Sequence, residues 1–341
     1  MLYFMSDYTE GAHPKVLAHL CEKNMVSLPG YGFDESTDSA KAKICAACGR
    51  DDLQIQFLTG GTQTNQIAIS TLLSEDEAVI TASTGHITEH EAGAIEYSGH
   101  KVISLPQHEG KIDALELDAF IKRYRADENI DHLVWPKMVY ISFPTEYGTL
   151  YSKAELTALS RVCRENDLIL YMDGARMGYG LTSERNDLTL HDICELTDAF
   201  YIGGTKVGAL CGEALVFTHG NMPPRFLARI KQHGALLAKM RVVSQQFEAL
   251  FTDELYFDIG RHANALARKL RCAFEEKGYE IFIDSPTNQQ FVVMDKATID
   301  RLHEHAAFGI WEWVDDHRAA VRFATSWATT EESVEALKKL I

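Results

Sequence analysis

Two stretches of the chain decide its fold class. One is Leu168-Ile169-Leu170-Tyr171-Met172-Asp173-Gly174-Ala175-Arg176, and the other is Tyr201-Ile202-Gly203-Gly204-Thr205-Lys206-Val207-Gly208. Each begins with a short apolar run and continues into small residues that carry a charged side chain. Such a run predicts a strand that is buried on both faces, as in a parallel sheet covered by helices. A charged residue at its carboxyl end lies in the crevice where open α/β sheets bind ligands.

Apolar runs and helical patterns alternate on both sides of these stretches. We therefore predict a three-layer α/β/α domain with a mostly parallel sheet. The predicted strands are Ala78–Ala82, Lys101–Leu105, Met138–Phe143, Leu168–Met172, Ala199–Ile202 and Ala214–Phe217. The predicted helices are Thr64–Leu73, Asp113–Arg125 and Lys153–Asn166.

The pattern changes after about residue 245, and it predicts a second domain of the α+β class. A long helix over Arg261–Lys277 is followed by strands at Gln290–Met294 and Ala320–Ala324 and by a final helix, Glu331–Leu340. A chain of 341 residues also exceeds what one core usually organises. We expect an N-terminal arm over 1–15, a large domain over 16–245 and a small C-terminal domain over 246–341.

Composition narrows the class of protein. The formal net charge of −16 disfavours nucleic acid and anionic membranes as partners, because both need a positive surface. No apolar run has transmembrane length, and the first seven residues lack the basic and apolar regions of a signal peptide. Seven scattered cysteines favour reduced thiols in a cytoplasmic enzyme. Cys45-Ala46-Ala47-Cys48 looks helical and has no second pair, so we predict buried helix thiols and no metal site.

Lys206 and Asp173 are the strongest candidates for chemistry. A lysine partly removed from water has a lowered pKa and acts as an amine nucleophile, and small neighbours let a planar group approach. A strand-end aspartate suits the protonated nitrogen of a pyridine ring. Taken singly, Lys206 also fits a surface turn and Asp173 a helix cap, but the ordered pair is much less common.

Two weaker signals precede them in the chain. Thr59-Gly60-Gly61-Thr62 opens a helix, and free backbone N–H groups at a helix N-terminus bind anions. Glycine turns of this kind are also common without any function. His86 follows a predicted strand, and its flat ring suits stacking on an aromatic cofactor, although a lone histidine is more often structural.

This ordered set resembles the low-specificity threonine aldolases, in the β-eliminating-lyase branch of the aspartate-aminotransferase-like, fold type I, pyridoxal-phosphate (PLP) enzymes. The resemblance covers nearly the whole chain, and Asp173-Gly174-Ala175-Arg176 is its most specific segment. The other segments are Ser6-Asp7, Tyr31-Gly32-Phe33-Asp34, Gly61-Thr62 with Asn65, His86-Ile87 with Glu91 and Gly93, Lys206-Val207-Gly208-Ala209 with Gly212, and Arg322 in Val321-Arg322-Phe323-Ala324-Thr325.

The resemblance implies a role for each matching position. Lys206 would form a Schiff base with PLP, Asp173 would face the pyridine nitrogen, and His86 would stack on the ring. The phosphate would be held by Gly60, Gly61 and Thr62, and by Lys231 from a neighbouring subunit. The substrate would be bound by Ser6, Tyr31, Arg176 and Arg322, with Arg176 also beside the cofactor.

The implied reaction is cleavage of L-threonine or L-allo-threonine to glycine and an aldehyde, in a homo-oligomer (a dimer or a dimer of dimers) with shared sites. The base that removes the β-hydroxyl proton stays open between His86, Glu91 and a bound water. The alternatives are β-elimination, cleavage restricted to aryl-serines, transamination as the least favoured, and an inactive binding module. Retention of Lys206, Asp173, His86 and Arg322 argues against the last.

Three segments depart from the family pattern. Phe143-Pro144-Thr145-Glu146-Tyr147-Gly148 replaces a Glu-Asn-Thr-His-Asn-like segment, and His233–Lys239 lacks a glycine run followed by Met-Arg. The residues before Lys206 are Gly-Gly-Thr where Leu-Ser is usual. These differences leave the substrate open, but not the cofactor.

Overall fold

The computed structural model describes all 341 residues. The strands are β1 (Leu2–Tyr3), β2 (Gln54–Leu58), β3 (Glu77–Ala82), β4 (Val102–Leu105), β5 (Trp135–Ser142), β6 (Ile169–Asp173), β7 (Ala199–Gly203), β8 (Glu213–Phe217), β9 (Glu280–Ile283), β10 (Gln289–Asp295), β11 (Ala306–Ala307), β12 (Gly309–Trp313) and β13 (Arg318–Ala324). The helices are α1 (Pro14–Lys23), α2 (Glu35–Cys48), α3 (Gly61–Leu72), α4 (His86–Glu89), α5 (Ala94–Tyr97), α6 (Ala114–Arg125), α7 (Lys153–Glu165), α8 (Met177–Leu181), α9 (Leu190–Leu196), α10 (Phe226–Gln232), α11 (Arg241–Leu250), α12 (Leu255–Glu276), α13 (Lys296–His303) and α14 (Glu331–Lys338).

A seven-stranded sheet in the order β2-β8-β7-β6-β5-β3-β4 forms the centre of the larger part of the molecule. Only β8 runs antiparallel to its neighbours, β2 and β7. Alternate residues of β5 pack into two different cores: Val139 and Ile141 on one face, Met138 and Tyr140 on the other. Helices cover both faces, so the predicted three-layer α/β/α domain with a mostly parallel sheet is confirmed.

The C-terminal part contains a four-stranded antiparallel sheet in the order β12-β13-β10-β9. The long helix α12 links the two parts, because Leu255–Ala263 contributes to the larger core and Leu266–Phe274 to the smaller one. The N-terminal arm also joins the C-terminal part, since β1 pairs with β11. The division at 245/246 stays a proposal. The sequence did not predict β2, β9 or β12, which are short and lack a continuous apolar run.

At the carboxyl edge of the large sheet, the loop after β6 lies in direct contact with the backbone of β7. A Cβ on Gly174 would meet the Tyr201 carbonyl oxygen at 2.0 Å, and one on Gly203 would meet the Ala175 carbonyl oxygen at 2.3 Å. These distances exclude any side chain at the two glycines. The end of β6, which carries Asp173, and the end of β7, which precedes Lys206, are therefore held together by residues that must be small.

The structure also bears on the predictions about the cysteines and about membrane crossing. Cys45 and Cys48 lie on α2 as predicted; Cys48 is buried and Cys45 is half-buried, and all seven cysteines are free thiols. None of the helices combines the length and the apolar character that a membrane crossing requires.

Gly260 on α12 provides a test of how the two parts are joined. A Cβ there would lie 2.4 Å from both the Gly178 carbonyl oxygen and Thr182 Oγ1. We expect Gly260→Ala to lower the free energy of unfolding by about 1–3 kcal/mol, because close-packed backbone cannot absorb an added methyl. Urea denaturation measures the change. Gly11→Ala, whose Cβ has only an ordinary 3.8 Å contact, is the matched control. Equal stability of the two variants would contradict the prediction.

Candidate active site

Two connected cavities lie at the carboxyl edge of the large sheet. The inner cavity, of about 330 Å³, reaches from the start of α3 to Asp173 and Lys206. The outer cavity, of about 700 Å³, opens from there toward the C-terminal sheet and contains Arg322 and Trp311. Sites for small ligands commonly have volumes in this range.

Lys206 lies where the inner and outer cavities meet. Burial lowers the pKa of its ammonium group to about 8, and the positive charge of Arg176 adds to this. The carboxylates of Asp7, Asp173 and Glu213 act in the opposite direction. The amine is therefore partly uncharged near neutral pH, as a nucleophile must be.

Asp173, the last residue of β6, is buried with three hydrogen-bond donors around its carboxylate. Tyr140 Oη and Asn65 Nδ2 donate to Oδ2 at 2.5 and 2.9 Å, and the Ala175 amide donates to Oδ1 at 2.9 Å. Burial raises the pKa of Asp173, but the nearby His86 and the hydrogen bonds outweigh it, so the net pKa is lowered. The group stays ionised and is suited to hold a protonated ring nitrogen.

The start of α3 forms the far end of the inner cavity. Gly60 is the N-cap, and the first helical bond runs from the Thr64 N–H to the Gly60 carbonyl, so the N–H groups before Thr64 have no partner within the helix. A Cβ on Gly60 would meet nothing within 4 Å, which leaves open space in front of these donors. Such a terminus is a ready anion site, and Gly61 and Thr62 also line it.

His86 is oriented by a buried network rather than standing alone. Its Nδ1 lies 2.9 Å from Glu91 Oε1, which also accepts from Asn65 Nδ2 at 2.8 Å. Asn65 in turn donates to Asp173. The Glu91 side chain is fully buried and lines neither cavity, whereas His86 lines both. Glu91 therefore orients the imidazole of His86 from the side that faces away from the cavities.

Arg176 pairs with a carboxylate from the N-terminal arm. Its Nε and Nη2 donate to Asp7 Oδ2 and Oδ1 at 2.7 and 2.9 Å, and Asn288 Nδ2 also donates to Asp7. Burial raises the pKa of Asp7, but Arg176, Lys206 and these hydrogen bonds bring it below its ordinary value. The guanidinium lines both cavities with its charge already balanced.

Arg322 differs from Arg176 because no carboxylate pairs with it. Its Nη1 and Nη2 donate to Gln289 Oε1 at 3.2 Å and to the Met5 carbonyl at 3.1 Å, while its Nε is buried without a partner. The guanidinium lies 5.4 Å from the centre of the Trp311 ring. An unpaired guanidinium in the outer cavity is a natural receptor for a ligand carboxylate. Ser6, the residue after Met5, is buried.

Two predicted residues lie away from both cavities. Tyr31 is 41% exposed, and the Lys231 ammonium lies 5.0 Å from the centre of its ring. Neither lines the inner or the outer cavity of its own chain. Ser6 and Glu91 also line neither cavity, although Ser6 adjoins Met5 in the chain and Glu91 contacts His86; the remaining predicted residues line one cavity or both.

The sequence did not single out Asp7, Tyr140, Glu146 or Glu213 as site residues. Tyr140 sits inside an apolar strand and resembles a core position, and Glu213 immediately precedes the predicted strand Ala214–Phe217. Asp7 gained no role because its partner is remote in sequence. Glu146 lies in the segment that departs from the family pattern, and that departure was the one available signal.

PLP, the cofactor that the resemblance implies, fits the inner cavity. An anion cradle stands at one end, an ionised carboxylate at the other, and a lysine of lowered pKa between the two cavities. Glu213 is the remaining acid; burial raises its pKa to about 8, which reduces its negative charge near neutral pH. His86 and Ala175 supply walls for a flat ring.

Comparison with known proteins agrees with this geometry. The family model described as "Beta-eliminating lyase" matches residues 4–297. Low specificity L-threonine aldolases from Pseudomonas aeruginosa and from another Pseudomonas strain are 28% and 30% identical; each match covers 98% of this chain, and 96% and 95% of the relative. The solved structure of Leishmania major threonine aldolase has 41% identity and a TM-score of 0.95, covering 100% of this chain and 99% of that one.

The Asp7–Arg176 pair generates a prediction about stability. We expect Asp7→Asn to lower the free energy of unfolding by about 3 kcal/mol or more, because it leaves a buried guanidinium uncompensated. Urea denaturation at pH 7 measures the change. The matched control is Asp52→Asn, which breaks an exposed arginine pair, that of Arg50, and should change stability little. A loss no larger than that of the control would show that the buried pair is not structurally important.

Proposed function

Because this chain belongs to the beta-eliminating lyase family, we propose that it is a PLP-dependent aldolase that cleaves L-threonine and L-allo-threonine to glycine and acetaldehyde. One observation carries the proposal. The cavity that contains Lys206 and Asp173 opens directly into a second cavity whose arginine, Arg322, has no carboxylate partner. A cofactor site is thus joined to a receptor for an amino-acid carboxylate.

When bound, PLP supplies an electron sink that stabilises the charge left on Cα as the Cα–Cβ bond breaks. Lys206 would attach it covalently through its uncharged amine. Asp173, kept ionised by its donors, would hold the ring nitrogen protonated. The start of α3 at Gly60, Gly61 and Thr62 would bind the phosphate, and His86, fixed by Glu91, would stack on the ring.

Arg322 would bind the substrate carboxylate and so determine which bond at Cα breaks. The bond that breaks must stand perpendicular to the cofactor ring, so the position of the carboxylate selects the reaction as well as the substrate. Ser6, on the N-terminal arm, would bind the same carboxylate. Arg176, neutralised by Asp7, would contribute hydrogen bonds beside the cofactor rather than net charge.

A shared active site explains the positions of Tyr31 and Lys231. In a homodimer or a dimer of dimers, these residues would reach the cavities of a neighbouring subunit, where Lys231 would add a cation near the phosphate and Tyr31 would contact the substrate. A symmetric interface supplies the same residues to each site reciprocally. We further propose a cytoplasmic location, in keeping with seven free cysteines.

A second candidate is preferential cleavage of aryl-serines. Tyr147 and Trp311 line the outer cavity with their ring centres 5.8 Å apart, and His90 lies 6.1 Å from Trp311. These rings form an apolar wall that suits an aromatic substituent on Cβ. The ratio of kcat/KM for phenylserine and threonine separates the two candidates.

Lys206→Ala tests the central claim. We expect aldol cleavage of threonine to fall by about a thousandfold or more, together with loss of the visible absorbance of bound PLP, because the amine is the attachment point. Glycine and acetaldehyde are the products to measure. Lys153→Ala, at a half-exposed lysine away from the site, is the control. Normal turnover in Lys206→Ala would overturn the proposal.

Mixing two inactive variants tests the shared site. Lys206→Ala and Lys231→Ala should each be weakly active alone, whereas dimers that contain one chain of each retain one intact site. After unfolding and refolding as an equal mixture, activity should recover to about a quarter of the wild-type value, since half of the dimers are mixed. Sedimentation of the refolded mixture is the measurement that checks whether dimers have formed. No recovery, or a fully active Lys231→Ala variant, would contradict a role for Lys231 across the interface.

A further inference from the structure

The inner and outer cavities meet at only five residues: Tyr8, His86, Glu146, Arg176 and Lys206. In the proposed reaction the cofactor occupies the inner cavity and Arg322 in the outer cavity binds the substrate carboxylate. The bond that breaks must therefore lie at this junction. Glu146 is the only carboxylic acid there, and the roles described above do not use it.

Glu146 is held through one carboxylate oxygen and left free at the other. The His86 amide and Ser142 Oγ donate to Oε1 at 2.9 and 2.6 Å. Oε2 is buried and has no hydrogen-bond partner. A buried carboxylate oxygen without a donor costs free energy, and native structures rarely leave one without a functional reason.

The turn that carries Glu146 is firmly fixed. Thr145 and Thr149 share a hydrogen bond between their hydroxyls at 2.6 Å, and Thr149 also donates to the Glu109 carbonyl at 2.6 Å. The Gly148 amide closes the turn on the Thr145 carbonyl. A residue held on such a support is suited to chemistry that needs a fixed position.

We propose that Glu146 is a catalytic residue that takes the proton of the substrate's β-hydroxyl group during aldol cleavage. This inference rests on the proposed function. In this role, the free Oε2 of Glu146 accepts a hydrogen bond from the substrate's hydroxyl group. The substrate thus provides the hydrogen bond that no protein group provides.

The step balances without any other reagent. The β-hydroxyl proton passes to the carboxylate, and the O–H electron pair forms the carbonyl bond of the aldehyde. The Cα–Cβ bond breaks, and its electron pair stays on Cα. Glu146 then releases its proton to water, and Cα takes up a proton from water through the Lys206 amine to give glycine, so Glu146 ends the turnover ionised, as it began.

The other nearby acids and bases are less suited to this task. Glu91 also has a buried Oε2 without a partner, but it lines neither cavity and its Oε1 already binds His86 and Asn65, so it has no access to a substrate at the junction. His86 has its ring committed to stacking and its Nδ1 to Glu91. Glu89 lines the outer cavity but not the inner one, so it lies outside the junction, and its side chain is 53% exposed.

Several charged groups set the protonation of Glu146. Burial raises its pKa; the Ser142 hydrogen bond and His86 lower it, and Asp173 raises it again, with a raised pKa as the net result. The ionisable groups that surround it, from β5, β6, the α4 segment and the two cavities, are Tyr140, Tyr147, Tyr151, Asp173, His86, Glu91, Arg176 and Lys206. As a base, Glu146 must be ionised, so the rate of cleavage should rise with pH through its raised pKa.

The experiment compares two reactions of the PLP-loaded enzyme. Glu146→Gln should lower kcat for threonine cleavage by roughly 10²–10⁴-fold. It should leave the exchange of the glycine Cα proton with D2O, followed by NMR, within about threefold of wild type, because glycine has no hydroxyl to deprotonate. Glu165→Gln, at an exposed glutamate of α7 outside both cavities, is the matched control and should change neither rate. An equal loss of both rates, or cleavage at nearly the wild-type rate, would overturn the proposal.

Ser142→Ala provides an independent readout that does not require the glutamine variant to fold. Removing a hydrogen bond that lowers the pKa of Glu146 should move the acidic limb of the kcat profile to higher pH, while Glu146→Gln should lack that limb. A limb that stays in place in Ser142→Ala would exclude Glu146 as the titrating base. Threonine cleavage by the wild-type enzyme tests the proposed function separately. If the wild-type enzyme does not cleave threonine, both proposals are wrong. If it does, and Glu146→Gln is fully active, only the proposed role of Glu146 is wrong.

Discussion

The buried ion pair between Asp7 and Arg176 is the interaction on which the architecture of the site depends. It joins three segments that are remote in sequence: the N-terminal arm, the loop after β6, and the C-terminal part through Asn288. The arm also closes the cavities themselves, since Tyr8 lines both and the Met5 carbonyl accepts from Arg322. Without the pair, the arm would lose its polar anchor and the outer cavity one of its walls.

The same pair decides which arginine is available to a ligand. Two guanidinium groups border the outer cavity, and they would bind anions equally if both were unpaired. Asp7 neutralises Arg176, so the remaining positive charge lies on Arg322, which has only neutral partners. A substrate carboxylate is thus directed to one position. Asp7 also limits how far the pKa of Lys206 falls, because its charge opposes the effects of burial and of Arg176.

The sequence was sufficient for those parts of the fold and site that depend on local pattern. Apolar runs that end in Asp173 and near Lys206 predicted both the parallel strands and the edge where the two cavities lie, and the glycines at the start of α3 predicted its free backbone N–H groups. Asp7 and Glu146 needed contacts between segments far apart in the chain, for which neither periodicity nor spacing gives a signal. Short edge strands such as β2 were missed for a related reason, because pairing with β8 rather than an apolar run defines them.

The surface around Tyr31 follows from backbone constraint rather than from side-chain pattern. Tyr31 has a φ of 62°, in a backbone region that residues other than glycine rarely adopt. Its amide donates to the Ala238 carbonyl at 2.9 Å. Gly30 approaches the same carbonyl so closely that a Cβ would lie 2.9 Å from it. These contacts join the Tyr31 turn to the segment that follows α10, the helix that contains Lys231. The Tyr31 ring and the Lys231 ammonium are thus held 5.0 Å apart. A strained turn that presents a half-exposed aromatic ring beside a lysine fits the proposal that a neighbouring subunit's cavity receives both.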